Sequence, residues 1–199
     1  IPERVYAIGL GTPEKLNPAA LSTLADGTGG FMMMTGDLGI NDIFRLSKYY
    51  LQILAGVTNA QIVLDPESSV LPKQVHRIPF QLTETDFRSD VILLSPAPWA
   101  FDFALETPNG DIIDPGNSGG LPNVTFVAGD GVHYYRMSLP APIGNGAQVG
   151  TWHALLKVDE GNFREYLSIL RQREDKNAIV RARAHGTVSY THLRAHETS

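Results

Sequence analysis

The hydrophobic pattern of this chain changes near residue 60, and that change restricts the fold more than any other feature. Before it, apolar residues follow a strand–helix–strand–helix order, which is typical of a layered α/β sheet. After it, short apolar runs alternate with turns rich in the chain's 13 prolines and 19 glycines, as in a β-sandwich or jelly roll. The sequence therefore predicts a parallel, Rossmann-like α/β portion followed by an antiparallel all-β sandwich domain.

The first part opens with the run RVYAIGLG, which is apolar on both faces as a covered parallel strand would be. A helix is predicted over NPAALSTLAD, with Asn17 as its N-cap and Pro18 at the first helical position. The strand FMMMTG follows. A second helix is predicted from a cap at Asn41 to a stop at Gly56.

The second part contains eight predicted strands. Asn109-Gly110, between two apolar runs, predicts a hairpin with a type I′ turn. The later segment VDEGNFREYLSIL suits a hairpin turn, a short helix or a linker, and NAIVRARAHGTVSY suits the first strand of a further module. The eight runs are QIVLD, HRIPFQL, DVILLSP, FDFALETP, DIID, VTFVAG, VHYYRMSL and GTWHALLKV.

Gly9 and Gly11 raise the question of nucleotide binding, since a strand that breaks into Gly-x-Gly begins many phosphate sites. A dinucleotide fingerprint needs a third glycine where this chain has Glu14, and the Gly-Lys-Ser/Thr of a P-loop is missing. The acidic side chain of Glu14 would also repel a phosphate. We interpret the two glycines as the flexible exit of a strand.

Other residue types that could carry chemistry lack the required spacing. The six histidines form no HExxH or i, i+4 pair, and Ser118 in GNSGG lies in a predicted loop without the G-x-S-x-G context. Four acidic residues surround the hairpin. They are interpreted as a solvated acidic rim, with a Ca²⁺ site as the alternative. They are Asp102, Glu106, Asp111 and Asp114, and the histidines are His76, His133, His153, His185, His192 and His196.

Charge is distributed unevenly along the chain. Residues 1–163 carry a net charge of −8 and residues 164–199 carry +3, and an acidic body argues against nucleic acid as a partner. The absence of cysteine excludes disulfides and thiolate metal sites. No apolar run approaches the roughly 20 residues that span a bilayer. The chain opens at Ile1 almost directly into a strand, which favours a piece of a longer protein.

The runs VYAIGLG, LSTLADGTGGFMMMTGDL and LSKYYLQILAG, within residues 3–57, resemble the C-terminal third of a von Willebrand factor A (VWA) domain. That family has V-x-x-I-G-x-G in a late strand, then a helix with L-x-x-(I/L)-A, then T-G-G and an aromatic residue. The matching residues are Ile8, Gly9, Gly11, Leu21, Leu24, Ala25, Thr28, Gly29, Gly30 and Phe31.

LETPNGDII and YYRMSLPAP…GTWHALLKV resemble the β-sandwich that follows this domain in calcium-activated chloride channel regulator-like proteins and bacterial relatives. The resemblance implies that Trp152 packs inside the sandwich. It also implies a Mg²⁺-type site built from a D-x-S-x-S loop, a threonine and an aspartate, all upstream of Ile1. We therefore assign no catalytic, cofactor-binding or metal-ligating residue to this chain, and expect the divalent cation in the full-length parent.

The resemblance implies a fragment of a VWA-domain protein that mediates protein–protein interaction or adhesion and is not an enzyme. It favours an extracellular or cell-envelope location, while the sequence itself assigns no compartment. Two alternatives stay open: an accessory region of a larger enzyme, such as a metalloprotease-containing VWA protein, or a structural spacer.

Four segments are predicted. Residues 1–58 form the C-terminal portion of the VWA domain, 60–160 the sandwich, and 161–187 a linker or the start of a further module. The tail VSYTHLRAHETS, residues 188–199, resembles translated adapter read-through from environmental DNA and is predicted to be non-native, with a genuine strand as the alternative.

Overall fold

The structure, a computed structural model, describes residues 3–39, 43–58, 60–64, 67–139, 149–173 and 186–196. The chain is mixed α/β and its sheets are mostly antiparallel. It divides into two compact units, residues 1–54 and 55–199. None of the helices within the described residues is long and apolar enough to cross a membrane.

The first unit contains a strand, a helix and a second strand in the predicted order. Strand β1 (Ala7–Gly9) pairs in parallel with β2 (Met32–Met34), and helix α1 (Pro18–Ala25) connects them. The Asn17 side chain accepts a hydrogen bond from the Ala20 amide at 3.1 Å, which confirms the predicted N-cap. The parallel sheet has two strands within the described residues, so the larger Rossmann-like sheet remains a prediction.

Helix α2 covers Ile43–Thr58. The predicted stop at Gly56 is wrong, because the helix continues for two residues beyond it. A glycine inside a helix costs only about 1 kcal/mol relative to alanine and does not by itself end one. Two apolar residues of this helix, Tyr50 and Leu54, are 59% and 46% exposed. The predicted cap Asn41 lies outside the described residues.

All eight predicted strands of the second part are present, and two more, β4 and β12, accompany them. A third helix, α3, covers Glu160–Gln172 and begins at the side-chain cap Asp159, which selects the helix among the alternatives for this segment. The strands are β3 (Ala60–Leu64), β4 (Glu67–Val70), β5 (Val75–Leu82), β6 (Asp86–Leu94), β7 (Phe101–Glu106), β8 (Ile112–Ile113), β9 (Val124–Gly129), β10 (Val132–Ser138), β11 (Gly150–Val158) and β12 (Gly186–His196).

These strands form two antiparallel sheets. The larger has the order β3-β12-β6-β10-β9, with β4 also paired to β12, and the smaller has the order β5-β11-β7-β8. Both sheets contribute to one hydrophobic core. Alternate residues of β11 are buried in it, and Trp152 is 1% exposed and stacks on Phe80, as expected for a residue inside the core. This arrangement is compatible with the predicted β-sandwich.

The predicted hairpin joins β7 and β8, but its turn is not type I′. The Gly110 amide donates to the Thr107 carbonyl and Gly110 has φ +88°, whereas Asn109 is not among the described residues with positive φ. Pro108 follows Thr107 and fixes its own φ near −65°, which suits a type I turn with a glycine bulge and forbids the type I′ geometry.

Strand β12 (Gly186–His196) begins two residues before the predicted non-native tail, extends through most of it, and pairs with β3, β4 and β6. Any extended segment can complete an open strand edge through its main chain alone. Its pairing therefore does not test the origin of residues 188–199, which stays a prediction.

Candidate functional site

A surface groove of the second unit lies beside strand β7 and has a volume of about 450 Å³. We call it the β7 groove. It is lined by residues 101–104 of β7, Ile112 of β8, the loop residues 114–116, Phe126 of β9 and His133 of β10. The groove therefore lies where an edge of the smaller sheet meets side chains from the larger one.

One side of β7 is only partly paired. Its whole length is paired with β11, but on the other side β8 covers only Leu105 and Glu106. The Thr107 amide donates to the Asp111 carbonyl at 2.9 Å, which marks this pair as hydrogen-bonded. Because hydrogen-bonded and non-hydrogen-bonded pairs alternate in an antiparallel ladder, every second residue back from Thr107 directs its main-chain groups to the same side.

By this alternation, Phe101 and Phe103 direct their main-chain groups into the β7 groove. The Tyr135 hydroxyl donates to the Phe103 carbonyl at 2.8 Å, and the Phe101 amide donates to the Pro98 carbonyl. The described part of the chain offers no ladder partner for the Phe103 amide or the Phe101 carbonyl. The groove thus contains a short open strand edge.

The loop after β8 explains why this edge is open. The Asp114 carboxylate accepts from the amides of Gly116 and Asn117 at 2.8 and 2.9 Å, and the Asn117 side chain accepts from the Asp114 amide at 2.9 Å. These bonds turn the chain away from β7. If β8 continued in the same register, Pro115 would be the residue opposite Phe103, and it has no amide hydrogen to donate to a ladder.

Ser118 belongs to the same loop, as predicted, but it is 2% exposed and its hydroxyl donates to the Pro115 carbonyl at 3.4 Å. A serine nucleophile needs an accessible oxygen beside a base. Ser118 therefore supports the loop and does not face a substrate.

The groove carries negative charge. Asp102 and Asp114 line it, and none of the other described residues that line it is a lysine or an arginine. Lys157 approaches Asp102 with 3.8 Å between Nζ and Oδ2, and both side chains are more than half exposed, so the pair is weak. Burial lowers the pKa of His133, so its imidazole stays neutral at pH 7.

The four acidic residues around the hairpin are not brought together. Glu106 accepts two hydrogen bonds from the Arg77 guanidinium, at 2.7 and 2.8 Å. These bonds lower the pKa of the Glu106 carboxyl, while burial acts in the opposite direction. Asp111 is exposed. Among the residues that the structure describes, no three histidine, aspartate or glutamate side chains are grouped to hold a metal ion. The set does not fit Ca²⁺ or Mg²⁺, each of which needs about six converging oxygen ligands.

The histidines are dispersed. His133 lines the groove, while His76 and His153 lie on the neighbouring strands β5 and β11. Within the described residues, His76 Nε2 and His153 Nδ1 are buried without a hydrogen-bond partner. His185 lies outside the described residues, and His192 and His196 fall within β12.

Gly9 is the last residue of β1 and Gly11 follows it after one residue, as the strand-exit interpretation predicts. A Cβ on Gly9 would lie 2.5 Å from Met34 Sδ and 2.8 Å from Leu21 Cδ1. Gly11 has φ +137° and forms an isolated bridge with Gly36. Gly9 therefore permits close packing between strand and helix.

Sequence reasoning named His133 and two of the acidic residues but missed the groove that joins them. One signal was available: the strand run DII is half as long as its hairpin partner FDFALE and is followed by Asp-Pro. A short strand that ends in proline leaves part of its partner unpaired.

No protein-family model matches this sequence, and a search of curated proteins gives no match.

Proposed function

We propose that this chain is a non-catalytic protein-interaction module of a VWA-domain protein. The VWA assignment is supported by the spacing of the matching residues in 3–57 and by the parallel pairing of β1 with β2 across α1. In that assignment the divalent cation belongs to loops outside this chain. Coding sequence upstream of Ile1 that lacks an Asp-x-Ser-x-Ser loop would contradict it.

The observation that carries the binding function is the β7 groove. It combines an open strand edge, aromatic side chains and two carboxylates in one concave surface of the second unit. Main-chain groups give affinity to an added strand, and the side chains beside them give specificity. The partner is therefore a protein that offers an extended segment.

The test is selection of random 12-residue peptides displayed on phage against the immobilised full chain. Selected peptides should bind the wild type, and Ile112→Glu should weaken them about tenfold, since Ile112 lines the groove and is 45% exposed. Val75→Glu is the matched control, because Val75 is 58% exposed on β5 and does not line the groove. Failure to enrich any peptide, or equal binding to Ile112→Glu, would refute the proposal.

A further inference from the structure

We infer that the β7 groove binds an extended segment with the pattern apolar–basic–apolar, added as a strand antiparallel to β7. This inference rests on the proposed function and specifies its ligand. It follows from the direction of the main-chain groups of β7, from the strand register and from the charge of the groove.

The first step is the main-chain geometry. The open edge offers the Phe103 amide as donor and the Phe101 carbonyl as acceptor. The carbonyl of Phe103 already accepts from the Tyr135 hydroxyl, but a carbonyl oxygen has two lone pairs and can accept a second bond. A segment that continues the line of β8 would run antiparallel to β7 and would pair with these groups.

The second step is side-chain alternation. Phe101 and Phe103 are buried, whereas Asp102 between them is exposed on the outer face of the sheet. In an antiparallel pair, residues directly opposite each other project to the same face. The ligand residues opposite Phe101 and Phe103 therefore point towards Phe126 and the neutral His133, which favours apolar side chains.

The third step is charge. The ligand residue opposite Asp102 projects beside its carboxylate, with Asp114 also lining the groove. Opposite charges across a strand pair stabilise it and like charges destabilise it. Lysine or arginine is therefore selected at this position, and aspartate or glutamate is rejected.

The test uses two acetylated and amidated peptides, Ser-Thr-Val-Arg-Val-Thr-Ser and its counterpart with Glu in place of Arg. The full chain should bind the Arg peptide about tenfold more tightly than the Glu peptide. Asp102→Lys should reverse this preference. Asp130→Lys should leave it unchanged, because Asp130 is exposed in the β9–β10 turn and does not line the groove.

Amide hydrogen exchange, measured by NMR, locates the added strand. The Arg peptide should slow exchange of the Phe103 amide about tenfold. It should leave the Ala104 amide unchanged, because that group faces β11 by the same alternation. Protection at another strand edge, or binding without preference between the peptides, would overturn the inference. A third outcome separates the two proposals: the phage-selected peptides bind and depend on Ile112, but they show no preference for a basic residue and do not protect the Phe103 amide. That outcome would support the proposed function and overturn this inference alone.

Discussion

The hydroxyl of Tyr135 offers the sharpest test of the packing beside the groove. Tyr135 is fully buried, its ring packs on Phe103 and Phe126 with centroids 5.0 and 4.8 Å away, and its hydroxyl donates to the Phe103 carbonyl. Tyr135→Phe keeps the ring contacts and removes only the hydrogen bond. We expect the free energy of unfolding at pH 7 to fall by about 1.5 kcal/mol, within the range for losing a buried bond whose acceptor stays behind.

The stability difference between wild type and Tyr135→Phe should decrease as the pH rises above about 10. Burial, reinforced by the charge of Asp114, raises the pKa of the Tyr135 phenol above its ordinary value. The phenol therefore stays protonated in the folded chain above pH 10, while in the unfolded chain it ionises. Its stabilising contribution is complete below about pH 10 and declines above it, by about 1.4 kcal/mol at pH 11. The gap between wild type and Tyr135→Phe should thus nearly close at pH 11.

Urea unfolding followed by tryptophan fluorescence is the appropriate assay, because both tryptophans of the chain, Trp99 and Trp152, lie in the second unit. Tyr134→Phe is the matched control: its ring is half-buried under the Arg136 guanidinium, and we expect a change below about 0.5 kcal/mol. Equal stability of wild type and Tyr135→Phe at pH 7, or a gap that stays constant up to pH 11, would refute the reasoning.

Three further outcomes are expected. Trp152→Ala should cost about 3–5 kcal/mol in urea unfolding followed by circular dichroism, because it empties a site that is 1% exposed; a loss below 1 kcal/mol would contradict this placement. Because burial lowers the pKa of His133, the unfolded chain takes up a proton below about pH 6.5 that the folded chain does not. Wild-type stability should therefore fall with pH in that range, and more steeply than that of His133→Phe; parallel profiles would exclude the effect. Deleting residues 188–199 should leave the urea midpoint unchanged, because a non-native tail is not expected to contribute to stability, and a clear drop would contradict that expectation.

The sequence predicted strands wherever a short apolar run lies between turn residues, because such a run can be buried on one or both faces of a sheet. It missed β4, whose residues Glu67–Val70 are mostly polar and carry no such pattern. Helix α3 was left among three alternatives, although its apolar residues Phe163, Tyr166 and Leu170 have the i, i+3, i+7 spacing of one helix face, and Phe163 and Tyr166 pack against the core.

The candidate site was less accessible to sequence reasoning. Its walls come from strands that are distant in sequence, and which of them meet depends on sheet order and register. Phe126 and His133, for example, approach β7 because β9 and β10 lie at one end of the larger sheet. The prediction of a type I′ turn was wrong for a local reason. It rested on the Asn109-Gly110 pair alone, whereas Pro108, the residue before that pair, has a fixed negative φ that a type I′ turn does not allow.

The order β5-β11-β7-β8 also has a consequence for biosynthesis. Strand β11, residues 150–158, lies between β5 and β7; its partners in β7 are made about 50 residues earlier, and those in β5 about 70–80 residues earlier. Until β11 has been synthesised, the edges of β5 and β7 that pair with it remain without hydrogen-bond partners. At a translation rate of about 5–20 residues per second, this interval lasts several seconds. Nascent chains that stall in this interval should be a preferred target for chaperones, and slower decoding there should lower the soluble yield.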